Sequence, residues 1–181
     1  MRQLTSRAAF MAMLSAGFAS PFSAYAACTQ DRAIYADRDD HYTLTFKPMP
    51  EDVPAVTSNE FTITENGPGE GDAQKKAFKL DGVVMWTEGV ERPNGLIMYN
   101  CPDGDATGEE LEDCTLWQGV IYALKEGAEA DLLPKAKEPA AQALLFPDLA
   151  GSLDSFDFGP AKPAEPLSWD VFRFRDCAHE E

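Results

Sequence analysis

Hydrophobic and polar residues alternate along several short segments of this chain, as they do in half-buried β-strands. In residues 41–47 (HYTLTFK), Tyr42, Leu44 and Phe46 fall on one side of the predicted strand and polar side chains on the other. Residues 59–65 (NEFTITE) repeat the pattern, and a turn-rich segment with several glycines follows them. The alternation therefore predicts two half-buried strands and then an exposed loop.

A hairpin is predicted further along the chain. The alternation in residues 77–87 centres on Gly82, and the turn sequence 92–95 (RPNG) separates it from a second strand-like segment, 96–101. Antiparallel strands that are joined by a short connection have this organisation. We expect the hairpin to span residues 77–101, with Gly82 at a β-bulge or at a close backbone contact.

The second half of the chain mixes strand and helix signals. Residues 115–124 (TLWQGVIYAL) are apolar on both faces, which predicts a central strand or one that is packed between a sheet and a helix, in the middle of the core. Residues 138–145 (EPAAQALL) are good helix formers with a proline at a permitted first-turn position, and they predict a short helix. Another helical turn is expected over residues 149–156, with Asp148 as its cap. Residues 168–177 are the last predicted strand.

Together these segments indicate a mostly β fold. We expect about six or seven strands with turn signals between them, and a short helical segment in the C-terminal third of the chain. Short strands at this spacing are typical of a β-sandwich and of a small closed barrel alike. The pattern leaves the choice between these two architectures open.

Residues 1–26 have the organisation of a secretory signal peptide. Arg2 and Arg7 give a basic start, an apolar run covers residues 8–19, and residues 24–26 (AYA) form a small-x-small peptidase site. The apolar run is shorter than the roughly 20 residues of a membrane-spanning helix, so we expect cleavage and no membrane insertion afterwards. Residues 27–181 are then a single exported domain, either periplasmic or extracellular.

The charge of the chain narrows the range of its partners. The 31 Asp and Glu residues outnumber the 15 Lys and Arg residues, and the net charge is −16 at pH 7. Loss of the two leader arginines would take it to about −18. Such a surface repels nucleic-acid phosphates and anionic lipids, so neither is expected as a partner. A basic exported protein is favoured instead.

Four cysteines occur in a chain that we expect in an oxidising compartment. Of the three possible pairings, the spacing favours Cys28 with Cys177 and Cys101 with Cys114. The first pair would join the two ends of the mature domain, and the second would close a short excursion between strand-like segments. Because the chain has no CxxC motif and only two histidines, a zinc or redox role is disfavoured.

Oxygen-bearing side chains are crowded between the second and third cysteines. Aspartate or threonine occupies every second position from 103 to 107, and a glycine follows at 108. This spacing is similar to the first half of an EF-hand calcium loop. The similarity ends at this point, because Cys114 stands where the family has a bidentate glutamate. A disulfide-closed calcium loop is one hypothesis, and a solvated acidic turn is the other. The hypothetical calcium ligands are Asp103, Asp105, Thr107 and Glu109. No cofactor is expected unless this segment binds calcium.

The common catalytic motifs are missing from the sequence. It contains no G-x-S-x-G, no H-E-x-x-H and no Gly-rich phosphate loop. Its histidines, His41 and His179, fall on the polar side of a predicted strand and near the C-terminus. We therefore expect a non-enzymatic binding domain. One version would inhibit a basic cell-wall hydrolase, such as a lysozyme, by plugging its cleft with a rigid loop.

Two other functions remain open. Trp86, Trp117 and Tyr122 would line the interior of a small-molecule carrier, although aromatic residues in patterned strands are commonly part of a packed core. The second alternative is a carboxylate-based hydrolase, because two suitably placed acids are sufficient for that chemistry.

Overall fold

The computed structural model describes residues 28–49, 57–67, 78–86, 89–102 and 108–178. The predicted signal peptide and His179 lie outside these residues. The described part of the chain contains ten β-strands, two short α-helices and two 3-10 turns. The strands are β1 (Ala33–Asp37), β2 (Tyr42–Lys47), β3 (Thr57–Glu65), β4 (Lys79–Met85), β5 (Asn94–Met98), β6 (Thr115–Gly119), β7 (Tyr122–Leu124), β8 (Asp131–Leu132), β9 (Ala143–Leu145) and β10 (Val171–Cys177). The helices are α1 (Glu109–Cys114) and α2 (Leu149–Ser155), and the 3-10 turns are Gln30–Arg32 and Gly159–Ala161.

All ten strands belong to one antiparallel sheet, in the order β6-β5-β4-β3-β2-β1-β10-β9-β7-β8. Strands β1 to β6 form a meander, in which each strand pairs with the next. The last strand, β10, pairs with β1 on one side and with β9 on the other. The sheet is curled into a half-barrel. Because only Val120 and Ile121 link β6 to β7, the curl brings the two sides of the sheet close together.

The prediction of a mostly β fold with a short helix late in the chain is confirmed, but the strand count and the sandwich alternative are wrong. The described residues form ten strands rather than six or seven, and one sheet rather than two. Three of the strands, β7, β8 and β9, are only two or three residues long. Alternation cannot be recognised over so few residues, since the pattern needs about four to eight.

Residues 115–124 do not form a central strand, which is one of the two arrangements that their apolar pattern predicts; β6 instead contacts both α1 and α2. The segment divides into β6 and β7, and β6 is the terminal strand on one side of the sheet. Trp117 and Ile121 are nevertheless buried, because the two sides of the curled sheet enclose the same core. The pattern therefore identified buried residues but misplaced the strand.

The helix predicted over residues 138–145 is wrong as well. Its last three residues form β9, which pairs with both β10 and β7. The residues before β9 bond to the start of the described chain: Gln30 donates its backbone N–H to the carbonyl of Glu138, and Ala140 donates to that of Cys28, both at 2.9 Å. These tertiary hydrogen bonds outweigh helix propensities of a few tenths of a kcal/mol per residue.

The second helical prediction, over residues 149–156, is confirmed by α2. Asp148 precedes the helix in a left-handed conformation (φ 62°), but its side chain makes no capping hydrogen bond. Asp170 takes part in its place, because its carboxylate accepts hydrogen bonds from the backbone N–H groups of Asp148 at 3.0 Å and Ala150 at 2.8 Å. Asp170, the residue directly before β10, thus stabilises the start of α2.

The predicted hairpin is formed by β4 and β5. At Gly82 in β4, a Cβ atom would lie 2.2 Å from the ring of Phe61 in β3. No side chain fits at that distance, so the ring lies directly on the neighbouring backbone. Gly82 is therefore the close backbone contact that its position in the alternating pattern suggests.

Aromatic side chains fill the inside of the curled sheet. The ring of Phe146 is central, and the ring centroids of Phe61, Trp117 and Phe172 lie 5.8, 5.5 and 5.7 Å from it. Phe46 continues the contact network from Phe61 toward β1. Burial of a side chain of this size contributes roughly 1.5–3 kcal/mol, so this cluster is a main source of stability.

Of the two disulfides, one joins cysteines that are far apart in the chain and the other joins cysteines that are close in the chain. Cys28 is bonded to Cys177 and Cys101 to Cys114, the pairing that the spacing in the sequence favours. The first bridge ties the start of the described chain to the end of β10. The second ties Cys101, which lies three residues after the end of β5, to the last residue of α1, and so holds α1 near β5 and β6.

Candidate interaction surface

Helix α1 has a dense negative charge. Four of its six residues are acidic, all four are exposed, and none of them is in an ion pair with another described residue. These residues are Glu109, Glu110, Glu112 and Asp113. Carboxylates in a first turn suit the positive end of the helix dipole, so the local sequence favours the helix and its charge together.

The C-terminal end of α1 is firmly attached to the sheet. Besides the disulfide at Cys114, the backbone N–H of Tyr99 donates to the carbonyl of Cys114 at 2.9 Å. The hydroxyl of Thr115 donates to the carbonyl of Leu111 at 2.7 Å. These contacts fix the position of α1 on the sheet.

An open groove of about 550 Å³ lies between α1 and the outer face of β5 and β6. Its lining is apolar in large part, and Asn94, Gln118 and Glu112 add polar groups. The apolar lining residues outside the hydrophobic core are Met85, Leu96 and Leu111, whereas Leu116 and Trp117 also belong to the core. The groove therefore combines a hydrophobic floor with an acidic border.

Leu96 lines the groove from the outer face of the sheet. It pairs with the exposed Gln118 across the β5–β6 ladder, while its neighbour Ile97 faces the core. Leu96 is still only 6% exposed, because it lies under the α1 region. A small apolar cluster thus forms on the face that is opposite to the aromatic core.

A second cleft, of about 210 Å³, lies between α2 and residues 162–167. This segment is fastened to the sheet, since the hydroxyl of Tyr42 donates to the carbonyl of Glu165 at 2.5 Å. The carboxylate of Glu65 accepts the N–H groups of Ala164 and Glu165. Burial raises the pKa of Tyr42 above its ordinary value, and the nearby carboxylates, Glu65 first, raise it further. We interpret this cleft as part of the closure of the half-barrel.

The hypothetical calcium ligands are only partly covered by the structure. Glu109 is the first residue of α1 and is exposed, whereas Asp103, Asp105 and Thr107 lie outside the described residues. Within the described residues, no three His, Cys, Asp or Glu side chains are grouped so that they could hold a metal ion. The calcium site stays a prediction.

Of the three residues predicted to line a ligand cavity, only Trp117 lines either of the two grooves described above. Trp86 follows β4 and Tyr122 lies in β7, and both are partly buried. Trp117 packs against Phe146, and its Nε1–H donates to the carbonyl of Pro147 at 2.8 Å. Of the three, only Trp117 lines the groove beside α1. Its polar atom is already satisfied within the protein.

Sequence reasoning missed both α1 and the groove. The helix has a single aliphatic residue, Leu111, so the periodic apolar stripe that identifies an amphipathic helix cannot be seen. The acidic first turn was the usable signal, because acids are favoured at the start of a helix. The groove itself depends on the position of α1 over the sheet, which no local pattern encodes.

No protein-family model, curated protein or solved structure matches this chain. Neither helix in the described ranges has the length and the apolar character that are needed to cross a membrane. The functional proposal is therefore based on the surface itself.

Proposed function

We propose that this protein is an exported, non-enzymatic binding domain and that its partner is a basic protein. The main support is the charge on α1, where four exposed carboxylates are held on one helix with no ion pair among the described residues. Opposite charge accelerates association and selects partners. Because the disulfide and the hydrogen bonds at Cys114 fix the helix, binding would cost little ordering entropy there.

Export to the periplasm or to the extracellular space is part of this proposal. The leader-like residues 1–26 support it, and so do the two disulfides, because such bonds persist mainly in oxidising compartments. In such a compartment, a basic cell-wall hydrolase is one partner of the proposed kind. If α1 covered the active-site cleft of that enzyme, binding would also inhibit it.

The alternatives gain less support. Trp117 is the one predicted carrier residue at either of the two grooves described above, and its ring packs against the core. A small-molecule carrier is therefore not the function that we propose. The carboxylate-based hydrolase stays a prediction.

A binding assay tests the proposal directly. We would measure the affinity of the mature protein by calorimetry for a panel of basic exported proteins that includes lysozyme, at about 50 and 150 mM salt. At least one basic protein should bind, more weakly at the higher salt, and an acidic protein of similar size should not. If no basic protein bound at either salt concentration, the proposal would be wrong.

Charge-neutralising variants locate the interaction. The α1 variant carries Glu109→Gln, Glu110→Gln, Glu112→Gln and Asp113→Asn. Its matched control removes four exposed charges elsewhere through Asp39→Asn, Glu126→Gln, Glu129→Gln and Asp154→Asn. We expect the α1 variant to bind the basic partner at least tenfold more weakly and the control less than threefold, since desolvated charges near an interface dominate the electrostatic term. Equal weakening would show that net charge, and not α1, attracts the partner.

A further inference from the structure

We infer that a second copy of this chain packs against the outer face of β10, β9, β7 and β8, so that the protein forms a two-fold symmetric dimer. This inference does not depend on the proposed function, because it concerns a different surface from the one beside α1. Three features support it: an apolar row across these strands, an exposed tryptophan at one end of the row, and unlike charges at the two ends.

The apolar row crosses four neighbouring strands of the sheet. The registers of these strands place four apolar side chains in one line, which we call the outer row: Val171, Leu145, Tyr122 and Leu132. All four are half-buried, and none belongs to the hydrophobic core or to the residues packed against it. Phe172 and Leu144, which alternate with them along β10 and β9, are fully buried in the core. The outer row therefore lies on the face opposite to the core.

The outer row is a continuous patch on the surface of the sheet. Neighbouring strands lie about 4.8 Å apart, so the row extends about 14 Å across the sheet. Both described helices, α1 and α2, pack mainly against β6, the terminal strand at the other end of the sheet order. Contiguous apolar residues on a surface are typical of an interaction site, whereas single ones are not.

An exposed tryptophan extends the patch at the β10 end. Trp169 lies two residues before Val171 and is 47% exposed. Arg38 comes one step after the pairing of Asp37 with Phe172, which brings it beside Val171. Its guanidinium carbon lies 4.6 Å from the centre of the Trp169 ring. Tryptophan and arginine are enriched among the residues that dominate the binding energy of interfaces, so we expect this pair to be a main contact.

The two ends of the patch differ in charge. At the β10 end, Arg38 and Arg173 are exposed, and neither is in an ion pair with another described residue. A third arginine, Arg175, is paired with Asp40. At the other end, the connection from β7 to β8 and the first residue of β8 have three exposed acids and one exposed lysine: Glu126, Glu129, Asp131 and Lys125.

The registers also place these charges at opposite ends of one line. Arg173 is in register with Ala143 of β9, and Ala143 with Leu124 of β7. Leu124 is the last residue before the acidic connection. This line runs beside the outer row on the same face, because its residues are two positions away from those of the row along each strand.

Two-fold symmetry converts this pattern into a self-complementary surface. A two-fold axis parallel to the strands reverses the row in the second copy, so the basic end of each copy faces the acidic end of the other. The apolar residues then meet in the middle. An axis along the row would place arginine against arginine, so the charges select the first arrangement. A second copy of the chain thus supplies both the apolar surface and the opposite charges that this face requires.

Sedimentation of the mature protein tests for the dimer. The row is narrower than a standard interface of about 800 Å² per partner, so we expect micromolar association. At about 150 mM salt, the mass should rise from that of one chain to that of two between roughly 1 and 100 µM protein. A single-chain mass across this whole range would overturn the inference.

Polar substitutions locate the contact. Tyr122→Thr with Val171→Thr removes apolar surface from the outer row but keeps residues that favour strands, so the dissociation constant of the dimer should rise at least tenfold. The matched control is Val83→Thr with Met98→Thr, at half-buried outer positions of β4 and β5. An equal rise in both variants would overturn the site. Leu145→Thr replaces the first variant if that variant lowers the melting temperature.

Charge reversal tests the arrangement of the two copies. One variant carries Arg38→Glu and Arg173→Glu, a second carries Glu126→Lys and Glu129→Lys, and a third carries all four changes. Each of the first two gives both ends the same sign and should weaken the dimer at least tenfold. The third restores unlike ends and should dimerise more tightly than either. All four side chains are exposed, so the fold should tolerate these changes.

The second charge variant distinguishes this arrangement from an effect of net charge. It makes the acidic chain less negative, so net charge alone would strengthen its dimer, whereas the proposed arrangement weakens it. A tighter dimer in this variant than in the wild type would overturn the arrangement. A third variant that dimerises no better than the first two would overturn it as well.

Discussion

The inside of the curled sheet and the outer surface beside α1 are built on opposite principles. Inside, Phe146 and its neighbours form a network of aromatic rings in contact with one another. Outside, leucines form a floor that remains open along one side, and exposed carboxylates border it. The same strands, β5 and β6, contribute to both regions. Their two faces therefore differ in character, because the inner one packs into the core and the outer one borders an open groove.

The two disulfides follow the same division. Cys28–Cys177 closes the ends of the chain around the core, whereas Cys101–Cys114 holds α1 on the outside. We therefore expect that stability and recognition can be altered separately in this molecule.

Removal of the disulfides should have the largest effect. The double change Cys28→Ser with Cys177→Ser opens a loop of 149 residues and should lower the free energy of unfolding by roughly 5 kcal/mol. The corresponding changes at Cys101 and Cys114, 13 residues apart, should lower it by roughly 3 kcal/mol. Urea unfolding measures both. Only the second pair should also weaken the binding of a basic protein, and a loss of binding in the first pair alone would contradict the division.

Truncation of a side chain should lower the free energy of unfolding more in the aromatic core than in the groove beside α1. Phe146→Ala removes the centre of the aromatic network and should cost roughly 3–5 kcal/mol of unfolding free energy. Leu111→Ala, at the half-buried edge of the groove, should cost about 1 kcal/mol because its side chain is partly solvated. Thermal and urea unfolding provide the measurement. Equal costs would show that the groove is packed as tightly as the core.

The hydrogen bond of Tyr42 should have a smaller effect. Tyr42→Phe leaves the carbonyl of Glu165 without this donor and should cost roughly 1 kcal/mol at neutral pH. Because the folded-state pKa lies above the ordinary value of 10.0, the unfolded chain loses its proton first as the pH rises. Stability from this group is therefore complete below about pH 10 and declines above it.

The Tyr42→Phe variant is also the control for the pH dependence of stability. Unfolding of the wild type and of Tyr42→Phe would be compared between about pH 8 and 11, and the wild type should lose about 1 kcal/mol more across this range. Other tyrosines and the lysines titrate in both proteins, so the difference isolates Tyr42. Parallel curves would show that Tyr42 is not shielded from solvent.

Much of the fold could be predicted from local sequence. The alternation of Tyr42, Leu44 and Phe46 correctly identified the buried face of β2, and the segments around the RPNG turn form the expected hairpin. Gly82 marks a close backbone contact as expected. These features are visible because they depend on neighbouring residues, whose period in a strand is fixed.

Less of the candidate site could be predicted. The sequence predicts a calcium loop in the acidic segment, and the structure places one of its hypothetical ligands, Glu109, at the start of α1, where it is exposed. Leu96 lies in a segment that is predicted as a strand, but it lines an outer groove and does not belong to the hydrophobic core. Local pattern indicates that a leucine is buried and does not indicate which layer covers it.

The longer strands, their buried faces, the pairing of the cysteines and the acidity of the protein can all be predicted from the amino-acid sequence. The single curled sheet, the strand at residues 143–145 and the terminal position of β6 beside α1 depend on tertiary contacts. The two groups of features differ in the range of the interactions that produce them. Side-chain alternation acts between adjacent residues, whereas strand order and the groove arise from hydrogen bonds and packing between segments that are far apart in the chain.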